Sequence, residues 1–120
     1  MNVATESFDV VLVLCTAKAV GGPGELGARE IAATLVNERL CACVSSVPQV
    51  ASCYRWEGEL LHVEETLFMI KTTRAALQAL QSRLLSLHPY EVPEFLVIPV
   101  VAGLPGYLQW VTESVEREVR

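Results

Sequence analysis

The sequence predicts an α+β fold with a small antiparallel sheet, and two observations carry that prediction. Short runs of β-branched and aliphatic residues, such as FDVVLVLCTA at positions 8–17, are typical of buried strands. Between them lie segments in which apolar residues recur at three- and four-residue steps, as the leucines do in RAALQALQSRLLSL at 74–87, which indicates helices. The 120 residues suit one domain, predicted over residues 1–120.

The predicted elements are strand 8–17, helix 25–40, strand 41–56, strand 61–73, helix 74–87, strand 93–101 and helix 104–120. Pro48 cannot donate to a sheet ladder and is expected at a break or bulge in its strand. Gly58 marks the turn of a long hairpin. His88 ends the second helix, because a residue before proline is pushed out of the α region. This β-α-β-β-α-β order with one extra helix is the split βαβ, or ferredoxin-like, arrangement.

Apolar stripes predict which helix faces are buried. On the first helix the stripe consists of Leu26, Ile31, Leu35 and Val36. On the last helix the predicted buried residues are Tyr107, Leu108, Val111 and Val115.

Composition excludes several classes of protein. A net charge of −5, with nine basic residues scattered along the chain, argues against a nucleic-acid partner. No stretch approaches the roughly 18 apolar residues of a membrane span, so no membrane partner is expected. The first ten residues show no basic segment followed by an apolar one, which predicts a cytoplasmic protein whose four cysteines are free thiols. A hydrophobic fraction of 52% is high for a small monomer and favours an oligomer.

Glycines at 21–27 resemble a dinucleotide-binding loop but fail its requirements. The first matching glycine, Gly22, comes several residues after the predicted strand end, and Pro23 removes a backbone donor that a phosphate would use. The acidic residue expected about 20 positions later is also missing, because no Asp or Glu occurs between Leu40 and Trp56. A plain loop before a helix is the favoured interpretation, and no organic cofactor is expected.

Two regions carry residues suited to chemistry. The rigid segment LHPYEVPEF at 87–95 holds His88, Tyr90, Glu91 and Glu94, and Cys15 lies at the end of the first strand. Thiolate and imidazole are ligands for copper or zinc. The structural alternatives are a histidine that caps the preceding helix and cysteines that fill the core. Cys15, His88 and Glu91 could also form a nucleophilic set, but nothing in their spacing joins them, and no enzymatic activity is expected.

With these residues in view, the chain resembles the CutA family of divalent-cation tolerance proteins. The matching stretches are VLVLCTA, LVNERLCACV, YRWEGEL, IKTT, HPYEVPE, LVIPVVAG and YLQWV, over about residues 8 to 115. The resemblance implies a ferredoxin-like homotrimer whose long hairpin reaches a neighbouring subunit, and a role in tolerance to copper and other divalent metals. It makes Cys15, Cys43 and His88 the metal-site candidates. Some bacterial members have a further histidine where this chain has Leu87, so a local two-histidine site cannot form here.

Three hypotheses follow. The first is a non-enzymatic homotrimer that binds copper or another divalent metal ion. The second is a trimeric sensor similar to PII signalling proteins, in which Trp56, Lys71, Tyr90 and Glu91 line a cleft between subunits for a small anionic molecule. The third is a scaffold that docks a partner protein, about which the sequence is silent.

Overall fold

The computed structural model describes residues 9–115. Its strands and helices are β1 (Val10–Ala17), α1 (Ala28–Asn37), β2 (Cys43–Trp56), β3 (Glu59–Thr73), α2 (Leu77–Leu87), β4 (Leu96–Pro99) and α3 (Pro105–Ser114). This confirms the α+β fold and the predicted order of elements. The predicted ends at residue 8 and at 116–120 lie outside the described residues. None of the helices within residues 9–115 is long and apolar enough to cross a membrane.

The helix α1 begins three residues later than predicted, because the glycine loop before it packs against backbone. A Cβ at Gly27 would lie 2.4 Å from the carbonyl oxygen of Ala19, so only glycine fits there. The Gly27 N–H donates to Glu30 Oε1, 3.0 Å away, which satisfies a free donor at the helix start. The loop therefore has a structural reason for its glycines.

The four strands form one antiparallel sheet in the order β2-β3-β1-β4. As predicted, β2 is interrupted at Pro48, where the register shifts between Val47 and Val50. The turn between β2 and β3 places both Glu57 and Gly58 at positive φ, the geometry of a tight hairpin turn. Because β1 pairs with β3 only as far as Thr66, residues 50–65 project beyond the sheet. We call this two-stranded projection the ribbon.

Helices α1 and α2 cover one face of the sheet and form the main core. Its central members are Val13, Cys15, Phe68, Ile70, Ile31, Leu35, Leu80 and Leu84. The prediction of burial is wrong for two residues: Val36 is 39% exposed and Tyr107 is 42% exposed. Each lies one position from a buried residue, Leu35 or Leu108, and one step along a helix turns the side chain about 100° away.

Within residues 9–115, the opposite face of the sheet is covered at one end, where α3 packs against Val10 and Ala42. Beyond that end, apolar side chains remain half-buried or exposed on the surface that we call the open face. These side chains belong to Leu12, Leu14, Leu67, Met69, Leu96 and Ile98. An apolar sheet face of this kind is typical of a surface that packs against another protein.

Candidate functional site

Cys15 and His88 meet at one backbone oxygen. The Cys15 thiol donates to the carbonyl oxygen of Thr16 at 3.6 Å, and His88 Nε2 lies 2.7 Å from the same oxygen. His88 reaches this point because α2 ends at Leu87 and His88 itself is extended, as expected for a residue before proline. The structure therefore brings together two of the predicted ligands. It also shows that the His88 ring binds a strand carbonyl and does not cap its own helix.

Hydrogen bonds fix the tautomer of His88. Its Nδ1 accepts the backbone N–H of Tyr90 at 3.1 Å, so Nε2 carries the proton that is donated to Thr16 O. The Cys15 thiol is also protonated, because burial raises its pKa to about 12, with further increases from the charges of Glu94 and Glu65. As they stand, the Cys15 sulfur is a thiol and not the thiolate that binds metals well, and both ring nitrogens of His88 are engaged in hydrogen bonds. Binding here requires Cys15 to lose its proton and His88 to give up one hydrogen bond.

Cys43 and Lys71, two other predicted site residues, lie at the opposite end of the sheet. They face each other across β2 and β3, and Lys71 is also paired with Leu12. Leu12 precedes Thr16 by four residues, or about 13 Å of strand. Lys71 Nζ lies 3.8 Å from Cys43 Sγ and donates to Ser45 Oγ. The structure thus separates Cys43 from the other two predicted ligands, and Lys71 from the other predicted cleft residues.

A cleft of about 710 Å³ lies between the ribbon and the loop that follows α2. Three of the four predicted cleft residues, Trp56, Tyr90 and Glu91, line it. The other lining residues are Thr16, Ser52, Cys53, Tyr54, Glu65, Val92, Pro93 and Glu94. Thr16 belongs both to the cleft wall and to the Cys15–His88 contact, so the cleft lies next to this contact, although Cys15 and His88 are themselves buried and are not among its lining residues.

The cleft is acidic. Among residues 9–115, the side chains that line it include three glutamates and no lysine or arginine. Glu65 is only 4% exposed, and its Oε2 accepts a hydrogen bond of 2.7 Å from the Tyr90 hydroxyl. Partial burial and the charge of Glu65 raise the pKa of the Glu94 carboxyl, while burial and the bond to Glu65 raise the pKa of Tyr90. A wall of this charge attracts cations and repels anions.

Sequence reasoning missed Glu65, although a signal for it exists. In LHVEETLFMIKTT the alternating pattern gives way to a continuous apolar run just after Glu65, so this residue stands where the strand enters the core. An acidic residue at such a boundary is a candidate for a buried functional carboxylate. Within residues 9–115, no three His, Cys, Asp or Glu side chains are close enough together to hold a metal ion as they stand.

Comparison with known proteins decides the family. The sequence profile described as "CutA1 divalent ion tolerance protein" matches residues 11–114. The chain belongs to the CutA1 family. The divalent-cation tolerance protein CutA of Thermus thermophilus is 47% identical over 92 residues, which cover 77% of this chain and 89% of the relative. Mouse Protein CutA is 47% identical over 96 residues, and the chain spans about half the length of that relative, 54%.

Solved CutA structures share the fold. CutA from Synechococcus elongatus matches with a TM-score of 0.83 at 36% identity, covering 96% of each chain. A protein described as the PII-like protein CutA from Nostoc, in apo form, matches with a TM-score of 0.78 at 32% identity, covering 90% of this chain and 99% of that one. The resemblance that the motifs indicated and the α+β fold of the single chain are confirmed, and the homotrimer stays a prediction.

Proposed function

We propose that this CutA1-family chain is a non-enzymatic homotrimer that binds divalent cations, copper among them, in the acidic cleft and at the Cys15–His88 pair beside it. The observation that carries the proposal is the charge of the cleft, whose lining glutamates are not offset by a lysine or arginine from the described part of the chain. The two parts have different roles. The carboxylates raise the local concentration of cations, and the sulfur and nitrogen donors favour copper or zinc over calcium or magnesium.

The chemistry of Cys15 and His88 fits such a cation, although the site must rearrange to receive it. The charges of Glu94 and Glu65 raise the pKa of Cys15, but among the described residues no carboxylate is close enough to join Cys15 and His88 as a third ligand unless the site rearranges. Thiol deprotonation accompanies binding, because a thiolate and not a thiol is the metal ligand. Within one chain Cys43 lies at the other end of the sheet, so the proposal leaves it out of this site.

The proposed trimer is supported by two surfaces. The open face presents apolar side chains that a neighbouring sheet could cover. The ribbon projects from the sheet and exposes aromatic residues near its tip, Tyr54 and Trp56, which is expensive for a monomer in water. Sedimentation of the purified protein is expected to give three times the chain mass of 13.1 kDa.

Calorimetric titration with Zn²⁺, which does not oxidise thiols, tests the cation site. Cys15→Ser and His88→Gln are expected to weaken binding at this site at least about tenfold, because loss of even an outer-shell partner typically costs that much. Glutamine at position 88 can still donate to Thr16 O, which preserves the fold. The matched control is Cys43→Ser, for which no change in affinity is expected.

The same titration has an expected pH dependence. Binding at Cys15 releases one proton at any pH below about 12, so the affinity should rise about tenfold per pH unit across the neutral and mildly alkaline range. If Cys15→Ser and His88→Gln bind Zn²⁺ with the affinity of the wild type, the assignment of these two ligands is wrong.

A second candidate function is the binding of a small organic molecule, favoured by the size of the cleft. Its volume of about 710 Å³ lies within the usual range of ligand pockets, about 300–1,000 Å³. This cleft lies within one chain, and its glutamates suit a cation better than the anionic ligand predicted from the sequence. Lys71 does not line it, and the predicted cleft between subunits that includes Lys71 stays a prediction. A cationic molecule held by the glutamates and by Trp56 and Tyr54 is the better fit.

A thermal-shift screen tests this candidate with two ligand sets, organic amines such as choline and anions such as nucleotides and carboxylates. Stabilisation by amines alone is expected. If neither set raises the melting temperature, the cleft does not serve a small molecule of these classes.

A further inference from the structure

A second cysteine–histidine pair lies on the ribbon, apart from Cys15 and His88. Cys53 on β2 and His62 on β3 are directly opposite each other in the antiparallel register. Cys53 Sγ and His62 Nε2 are 4.0 Å apart, and both side chains are exposed to solvent. Side chains opposite each other on a ribbon point to the same face, so the thiol and the imidazole are presented together.

We propose that Cys53 and His62 form a surface metal site for a thiophilic divalent cation such as Zn²⁺ or Cd²⁺. In a tetrahedral site, sulfur at about 2.3 Å and nitrogen at about 2.0 Å from zinc are about 3.5 Å from each other. The observed separation of 4.0 Å is close to this requirement, and exposed side chains can close the difference by small rotations. The backbone register has already placed the two donors, so little ordering is needed on binding.

Side chains near the pair carry charges of both signs. Glu64 lies two residues from His62 on the same face of the ribbon, and its cross-strand partner is Ala51, whose small side chain leaves space. Among the described residues, Cys53, His62 and Glu64 are not close enough together to hold a metal as they stand, so the carboxylate must move toward the pair, and water fills the remaining positions. Arg55 lies on the same face toward the tip, where its charge opposes binding. The sulfur and nitrogen donors, and not the surrounding charge, therefore select the cation.

This face of the ribbon remains available in the proposed trimer. The residues that alternate with Cys53 and His62, among them Tyr54, Trp56, Leu61 and Val63, make the other face of the ribbon mostly apolar. That apolar face is the one suited to contact with a neighbouring subunit. The site does not depend on the Cys15–His88 site, from which it differs in residues and in exposure.

Titration of the full-length protein with Cd²⁺ alone tests the site through the ultraviolet charge-transfer absorption of a cadmium–thiolate bond. On binding, the Cys53 S–H bond breaks, its proton passes to the buffer, a Cd–S bond forms, and nothing is oxidised or reduced. Cys53→Ser is expected to remove the charge-transfer band of the exposed Cys53–His62 site. His62→Asn keeps the thiol but should weaken that site at least about tenfold.

Two controls separate this site from the others. Cys43→Ser and Cys15→Ser should each retain the band that Cys53→Ser removes, and all four variants should keep the far-ultraviolet spectrum of the wild type. The proposal is overturned if Cys53→Ser retains that band. It is also overturned if His62→Asn binds Cd²⁺ as tightly as the wild type, since Cys53 would then act without its histidine.

Discussion

Ile98→Asp is expected to convert the proposed trimer into monomers of 13.1 kDa. In the isolated chain Ile98 is 41% exposed on the open face, so an aspartate there remains hydrated and the subunit itself should fold. Within a trimer packed through the open face, the same carboxylate would be buried without a partner. That penalty is on the order of several kcal/mol per subunit, and three copies of it exceed what the interface can offset. Sedimentation velocity measures the result.

Leu85→Asp is the matched control, because Leu85 is 48% exposed on α2, on the side of the sheet away from the open face. The two variants add the same charge at a similar exposure, so only an interface at the open face can separate them. We expect Leu85→Asp to sediment like the wild type. A wild-type mass of one chain would refute the trimer, and an Ile98→Asp protein that remains trimeric would show that the subunits meet elsewhere.

Alkaline pH is expected to lower the free energy of unfolding steeply. Burial raises the pKa of Cys15 and of Cys41 from 9.0 to about 12. In the unfolded chain both thiols ionise near pH 9, whereas the folded chain holds them protonated. Their contribution is therefore fully present below about pH 9 and is lost as the pH rises towards 12. At about 1.4 kcal/mol per pKa unit, the two groups together account for several kcal/mol, a large share of a typical domain's stability.

Urea unfolding at a series of pH values tests this expectation. Cys15→Ala and Cys41→Ala should each reduce the slope of stability against pH above pH 9, although each also loses some packing. Cys53→Ser is the control for the loss of a thiol without the loss of core packing, because Cys53 is exposed in the folded protein. Stability that stays constant between pH 9 and 11 would contradict the raised pKa values, and so would a slope that neither alanine variant alters.

Local patterns in the sequence predicted most of the fold. Leucines at helical spacing predicted α2, and His88 before proline predicted that the helix ends at Leu87. Pro48 and Gly58 marked the interruption and the turn of the long hairpin. Each of these features depends on one residue and its immediate neighbours, which is why periodicity and turn chemistry were sufficient.

The candidate site was only partly predictable. The family resemblance linked Cys15 with His88, and the structure places both at the Thr16 carbonyl. The resemblance gave no sign that Cys43 and Lys71 lie about 13 Å along the sheet from Thr16, because that distance follows from the register of three strands. Nor could it reveal the contact between Tyr90 and Glu65, which are 25 positions apart.

The sequence by itself determined the order of the elements, the hairpin turn and the identity of the family, because burial pattern and turn residues are properties of continuous segments. Tertiary structure alone decided the sign of the cleft's charge. Within one chain, strand pairing places Lys71 away from this cleft, and the packing of the loop after α2 beside the ribbon brings Glu65, Glu91 and Glu94 to its wall. The cleft between subunits that the sequence suggested for Lys71 stays a prediction. Which charges share a cavity depends on how distant segments pair and pack, and no single segment carries that information.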